Sequence, residues 1–195
     1  MARPPTFDQQ QVLENAMQVF WRKGFATTSV KDLTDVTKLQ PGSLYGAFKN
    51  KRKLFEYALD YYYENLYKTV KEVLRSEAPP LLRIRQFFEN FLNVARDDVD
   101  NKSCLLVNTL IEVPPEDAEI KQRITNMFEK IEKLFVEVLY EAQDDGSLAN
   151  GLEPESTAKM IMSGIFGLQV YNKMQNGKDD LRQIVNNLLS VIEKS

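Results

Sequence analysis

Residues 25–51, FATTSVKDLTDVTKLQPGSLYGAFKNK, decide how the chain is read. Ser29 is placed to cap a short helix that carries Val30, Leu33 and Val36, and Asp32 three residues on completes an acidic form of the capping box. Lys38-Leu39-Gln40 is a tight connection. Pro41 suits the first turn of a second short helix, where its missing N–H costs nothing. That helix holds Leu44, Tyr45 and Phe48, and Asn50 caps whatever follows. Two short helices across a tight turn are the ingredients of a helix-turn-helix. The second helix has to be polar enough at its start to enter a major groove, and Gln40, Pro41, Gly42, Ser43 and Gly46 meet that demand. Gly42 and Gly46 leave room for close approach to base edges. Leu44, Ala47 and Phe48 supply the inner face. Thr27, Thr28, Ser29, Tyr45, Lys49 and Lys51 are donors clustered around it, as phosphate oxygens require. Gln40 suits a bidentate contact to adenine.

Outward from this stretch the apolar spacing is helical almost throughout. Leu13, Ala16, Met17 and Phe20 line a supporting helix from Asp8 to Lys23, ended by Gly24. A long helix over 51–75 follows, then helices near 81–97, 103–112, 116–143, 154–175 and 179–193. Pro79-Pro80, Pro114-Pro115, the polar loop 144–151 and Asn176-Gly177 separate them. The expected fold class is all-α with about nine helices, a small bundle at residues 1–48 leading into a larger one.

Composition narrows the chemistry. The 195 residues include no histidine and one cysteine, and the net charge is −3. Imidazole catalysis, imidazole metal ligation, an intrachain disulfide and CxxC metal sites are all excluded. No uncharged apolar run approaches the roughly 18–20 residues of a membrane span. The N-terminal residues have no apolar core, so a cytoplasmic protein is expected, with no membrane partner. The charge is uneven: residues 1–53 carry nine basic and four acidic side chains, net +5, and the remainder is −8. A basic head on an acidic body suits a polyanionic partner.

Phe25 to Leu33, then Pro41-Gly42-Ser43-Leu44-Tyr45-Gly46-Ala47-Phe48-Lys49-Asn50-Lys51, then Leu54-Phe55, resemble the TetR/AcrR family of bacterial regulators. The resemblance covers residues 8–59 closely; beyond them, helix number and length agree. It implies residues 1–50 as a helix-turn-helix DNA-binding domain and 51–195 as a ligand-binding and dimerisation domain, linked by helix 51–75. It implies a homodimer responsive to a small-molecule effector, usually a repressor on double-stranded operator DNA. By position it puts Gln40, Pro41, Gly42, Ser43, Tyr45 and Gly46 on the recognition helix, and Thr28, Tyr45 and Lys51 on phosphates. Where Gly46-Ala47 stand the family often has His or another polar residue, which leaves more of the base readout to Gln40 and Ser43.

In the body, Ser163-Gly164-Ile165-Phe166-Gly167 sets small residues beside large ones. Gly164 and Gly167 share a face on which a second backbone can approach, either a partner's or a helix of the same chain. The resemblance, whose family pairs its last two helices across a dimer, favours an interface of Gly164, Gly167, Leu168, Ile184 and Leu188. Tyr57, Tyr61, Tyr62, Tyr63 and Tyr67, with Phe87, Phe88 and Phe91, are candidates to line a pocket for an apolar or aromatic effector; core packing is the plainer alternative. Cys104 and Asn108 interrupt or begin an apolar run and join the pocket candidates. Cys104 is the one candidate thiol sensor, although its neighbours favour inert burial. The carboxylates Glu112, Glu116, Asp117 and Glu119 suit helix starts better than a metal cage. No cofactor is expected. A His-free enzyme finds no GxSxG or SxxK motif to support it. A helical adaptor without DNA binding is the other alternative.

Overall fold

The structure is a computed structural model that describes residues 7–98, 100, 102–174 and 179–194. Its helices are α1 (Gln9–Lys23), α2 (Val30–Thr37), α3 (Pro41–Phe48), α4 (Lys51–Leu74), α5 (Pro80–Asp97), α6 (Leu105–Glu112), α7 (Ala118–Asp144), α8 (Pro154–Met174) and α9 (Asp179–Ile192). Among the described residues the only extended pairing is the isolated antiparallel bridge between Leu148 and Glu193, which pins the α7–α8 loop to the end of α9. The expected all-α architecture is the observed one. The expected stop at Asn176-Gly177 lies outside the described residues.

Local chemistry sets the helix ends. Asp8 caps α1 by accepting from Gln10 N and Gln11 N. Gly24 closes α1 with φ +77°, a conformation that favours glycine, and the exposed Glu112 side chain rests against it. Asp117 caps α7 through Ile120 N. The sixth helix starts later than its spacing predicts. Ser103 turns left-handed at φ +57°, and Cys104 is the extended N-cap.

One apolar core runs through the whole molecule. Phe20, Leu33, Leu44 and Phe48 join the first three helices over Leu54, Phe55, Ala58 and Leu59 of α4. The Phe55 ring lies 5.0 Å from Phe20 and 4.9 Å from Phe25. Burying each such side chain contributes roughly 1.5–3 kcal/mol. At about 1.5 Å per residue, α4 extends about 36 Å and carries the head's core into the body. There it packs against α5, α6 and α7, while α8 lies along α7 and α9 along α8 and α5.

Candidate nucleic-acid interface

The helix-turn-helix forms as its caps dictate. Ser29 Oγ accepts from Asp32 N at 3.1 Å, and Asp32 Oδ2 accepts from Ser29 N at 2.9 Å. Lys23 and the Ser29 N–H hold the Asp32 carboxyl well below the usual carboxylate range. Lys38 takes the left-handed conformation at φ 59° in the turn, and Pro41 opens α3. Leu44 and Phe48 point inward. Gln40, Pro41, Gly42, Ser43 and Gly46 are exposed. A Cβ on Gly42 or Gly46 would meet nothing within 4 Å, so no packing inside the chain requires either glycine. Tyr45 is half-buried, and burial pushes its phenol pKa up; its hydroxyl is a hydrogen-bond donor.

The basic residues sort into two sets. Arg52 is bound to Glu56 and Asp117, Lys53 to Glu56, and Lys23 to Asp32. Among the described residues Lys31, Lys38 and Lys49 have no carboxylate partner, and Lys51 lies 4.6 Å over the Phe25 ring. Lys31 lies in the first turn of α2, and Lys38 and Lys49 are the residues that end α2 and α3. Lys31 and Lys38 were legible in the sequence only as charge. Thr28 is 2 % exposed and its hydroxyl donates to Gly24 O at 2.6 Å. Its side chain therefore secures the head's own turn and presents no donor outward, while Ser29 beside it is exposed.

The other expected residues fall as follows. Tyr63 is buried against Tyr67, ring centroids 5.5 Å apart, and its phenol pKa is pushed up to about 12 by burial. Tyr61 and Phe91 are half-buried, whereas Phe88 is fully enclosed and packed edge-on to Phe87 at 5.3 Å. A depression of about 370 Å³ on α4 is lined by Lys68, Lys71, Glu72 and Arg75; none of the expected aromatic residues lines it, and it is an open charged groove rather than a ligand chamber. Cys104 is buried and burial pushes its thiol pKa up. Asn108 donates to Lys102 O at 2.6 Å and accepts from Lys173 Nζ at 2.9 Å. Both ends of its amide are engaged within the chain.

On the last helices the glycines part company. At Gly164 a Cβ would come within 2.5 Å of Leu188 Cδ1, so this position serves the crossing of α8 and α9 inside the chain. Leu168 is likewise buried in the protomer. Gly167 is exposed with nothing within 4 Å of a Cβ. It shares a helical face with exposed Ser163, Val170 and Met174, and α9 exposes Ile184 and Val191. Val170, Met174 and Val191 extend the expected apolar face; continuing the helical period from Gly167 and Ile184 would have found them. The acidic residues serve helix starts and cations: Asp117 caps α7 and binds Arg52, Glu119 lies 3.8 Å from Lys53, and Glu112 abuts Gly24. Among the described residues no helix is long and apolar enough to cross a membrane.

Residues 12–58 match the family described as "Bacterial regulatory proteins, tetR family", and residues 80–188 match "Tetracyclin repressor-like, C-terminal domain". The uncharacterized HTH-type transcriptional regulator YezE of Bacillus subtilis (strain 168) is 32% identical, covering 99% of this chain and 100% of the relative. The HTH-type transcriptional repressor DhaR of Mycobacterium sp. (strain GP1) is 25% identical, covering 95% and 91%. Among solved structures, a cysteine mutant of the TetR family transcriptional regulator CifR, complexed with 26-bp double-strand operator DNA, superposes with a TM-score of 0.86. It is 27% identical over 96% of this chain and 98% of that one.

Proposed function

The chain belongs to the TetR family and is a DNA-binding transcriptional regulator, and from that premise we propose that it is a homodimeric repressor released from its operator by a small apolar or aromatic effector. The observation that carries the DNA-binding role is the outward face of α3 and its surroundings. Gln40, Ser43 and Gly46 are exposed, while among the described residues Lys31, Lys38, Lys49 and Lys51 of this region have no carboxylate partner. Gln40 and Ser43 read base edges, Gly42 and Gly46 let the helix sit close, and Ser29, Tyr45, Lys49 and Lys51 hold phosphates. DhaR, a named repressor, and CifR, solved in complex with operator DNA, support this reading.

The dimer uses Gly167, Val170, Met174, Ile184 and Val191, whose exposed apolar surface is costly to leave in water. A two-fold dimer reads two half-sites, so the operator is palindromic and the two α3 helices lie about 34–36 Å apart. The effector enters among Tyr61, Tyr63, Tyr67, Phe88 and Phe91, carried by α4 and α5; Phe88 is fully enclosed, so entry displaces packed side chains. By favouring one tilt of α4 it changes the separation of the heads; a shift from 1:99 to 99:1 requires about 5.5 kcal/mol of differential affinity. The work is binding, not turnover. The test is selection of bound duplexes from a genomic library with the wild type and Gln40→Ala. A symmetric consensus whose base preference relaxes at one position in Gln40→Ala supports the reading; a uniform loss at all sequences shows that Gln40 only positions the helix.

A further inference from the structure

The two-residue turn Lys102-Ser103 is bonded to the head on one side and to α8 on the other. On the head side, Trp21 Nε1 of α1 donates to Ser103 O at 2.8 Å. Lys102 Nζ lies 4.9 Å over the Trp21 ring and 3.4 Å from Gln18 Oε1. The indole also packs edge-on against Tyr62 of α4, centroids 4.9 Å apart. On the body side, Ser103 Oγ lies 2.7 Å from Gln169 O and 2.6 Å from Gln169 Oε1, both on α8. A hydroxyl has one proton, so it donates to one of these at a time. Asn108 bonds the Lys102 carbonyl and Lys173 of α8. Ser103 N is satisfied by Asp98 Oδ2 at 2.8 Å.

Ser103 thus spends its N–H, its carbonyl and its hydroxyl on three different elements, at φ +57°, a conformation that a residue with a side chain rarely adopts. Such a conformation persists where the surroundings over-determine it. If α4 alone joined head to body, the head could swing about the axis of that helix. A further tie, from α1 through Ser103 to α8, beside the Arg22–Asp100 ion pair and the contact of Glu112 with Gly24, restrains that freedom. The element it reaches is the one whose outer face carries Gly167, Val170 and Met174.

We propose that Ser103 and Trp21 are positioning residues that set the rotation of each DNA-binding head relative to the dimer helices, and so fix the half-site spacing the dimer accepts. This rests on the dimeric, DNA-binding reading above. It assigns to the 102–104 turn a role distinct from lining an effector pocket, because the polar groups of Ser103 and Asn108 are already committed within the chain.

The test uses the full-length chain and a symmetric duplex selected by the wild type from a randomised library, together with versions carrying one or two base pairs inserted between the half-sites. Two inserted pairs separate the half-sites by about 7 Å and turn them by about a fifth of a helical turn. The wild type is expected to lose about tenfold or more in affinity on that insertion. Ser103→Ala and Trp21→Phe are each expected to lose no more than about threefold. The double variant should be no more permissive than the more permissive single one, because both changes cut the same tie. Ser103→Gly relieves the positive φ and also lacks the hydroxyl; behaviour like Ser103→Ala assigns the effect to the hydroxyl. Trp21→Phe keeps a ring against Tyr62 and carries the test if changes at Ser103 impair folding. Folded variants with the wild-type spacing profile overturn the inference and leave the DNA-binding reading intact. Failure of the wild type to select any duplex overturns both.

Discussion

Arg52, at the start of α4, holds Asp117, at the start of α7, with both terminal guanidinium nitrogens, the second contact at 2.7 Å. The same Asp117 caps α7, and the same Arg52 reaches back to Glu56 at 2.9 Å. A cation that charge counting assigns to the DNA-facing head is therefore engaged inward, where paired N–H···O bonds align two helices. Lys53 sits beside it on Glu56.

This pair makes stability pH-dependent in a defined direction. The Arg52 guanidinium holds the Asp117 carboxyl below its ordinary value of 3.8. A carboxyl whose folded pKa is depressed contributes stability that is complete above the unfolded pKa and is lost as pH falls through the folded one. Asp117→Asn should therefore melt below the wild type at pH 7, with the gap closing as pH drops below about 4. Thermal melts of both proteins across that range check it; a gap that stays constant with pH means the ion pair is not its source.

Gly46→Ala should separate folding from recognition. The added Cβ meets nothing in the chain. Helix propensity alone should then raise stability by roughly 0.5–1 kcal/mol. DNA affinity should fall, because the Cβ holds the helix away from the groove. Melting curves beside duplex titrations measure both, and a lower melting temperature would mean the fold itself needs the glycine.

The two α8 glycines should fail differently. Gly164→Leu collides with Leu188 and should destabilise the protomer. Gly167→Leu has open space in the protomer and should leave it folded while abolishing the dimer. Sedimentation and circular dichroism distinguish these outcomes. A dimeric Gly167→Leu protein would move the interface elsewhere.

Cys104 should react sluggishly. It is buried, its thiol pKa is raised by that burial, and the Tyr62 hydroxyl contacts it. Thiolate is the reactive form, so alkylation of the native protein at pH 8 should be far slower than that of the unfolded chain. Comparable rates would show that the start of α6 opens readily and would reinstate Cys104 as a sensor.

The elements whose ends are set by local chemistry were legible in the sequence. Asp8, Ser29 with Asp32, Pro41 and Asn50 each cap or open the helix their position announces, since capping needs only neighbours a few residues away. That Gln40, Pro41, Gly42, Ser43 and Gly46 share the exposed side of α3 was also legible. Non-local pairing decided what was not. Nothing in residues 25–33 indicates that Thr28 turns its hydroxyl to Gly24 O within a buried turn. Nothing near Arg52 indicates Asp117. Gly164 and Gly167 are equivalent by spacing, and only the path of α9 separates them. The turn at Ser103 read as helix because its left-handed conformation is held by Trp21, Asp98 and Gln169, distant in sequence and close in space.

On the function proposed above, the protein binds a two-fold symmetric duplex through α3 and the surrounding lysines Lys31, Lys38 and Lys49. The most direct measurement is the affinity for a wild-type-selected symmetric duplex across a salt titration, repeated with Lys31→Ala, Lys38→Ala, Lys49→Ala and Arg52→Ala. Affinity should fall log-linearly with salt. Each lysine that contacts a phosphate should reduce the slope by about 1 on replacement. Arg52→Ala should leave the slope unchanged, since that side chain is engaged by Asp117 and Glu56. Binding that is insensitive to salt, or a slope that responds to Arg52 and to none of the three lysines, would contradict the account.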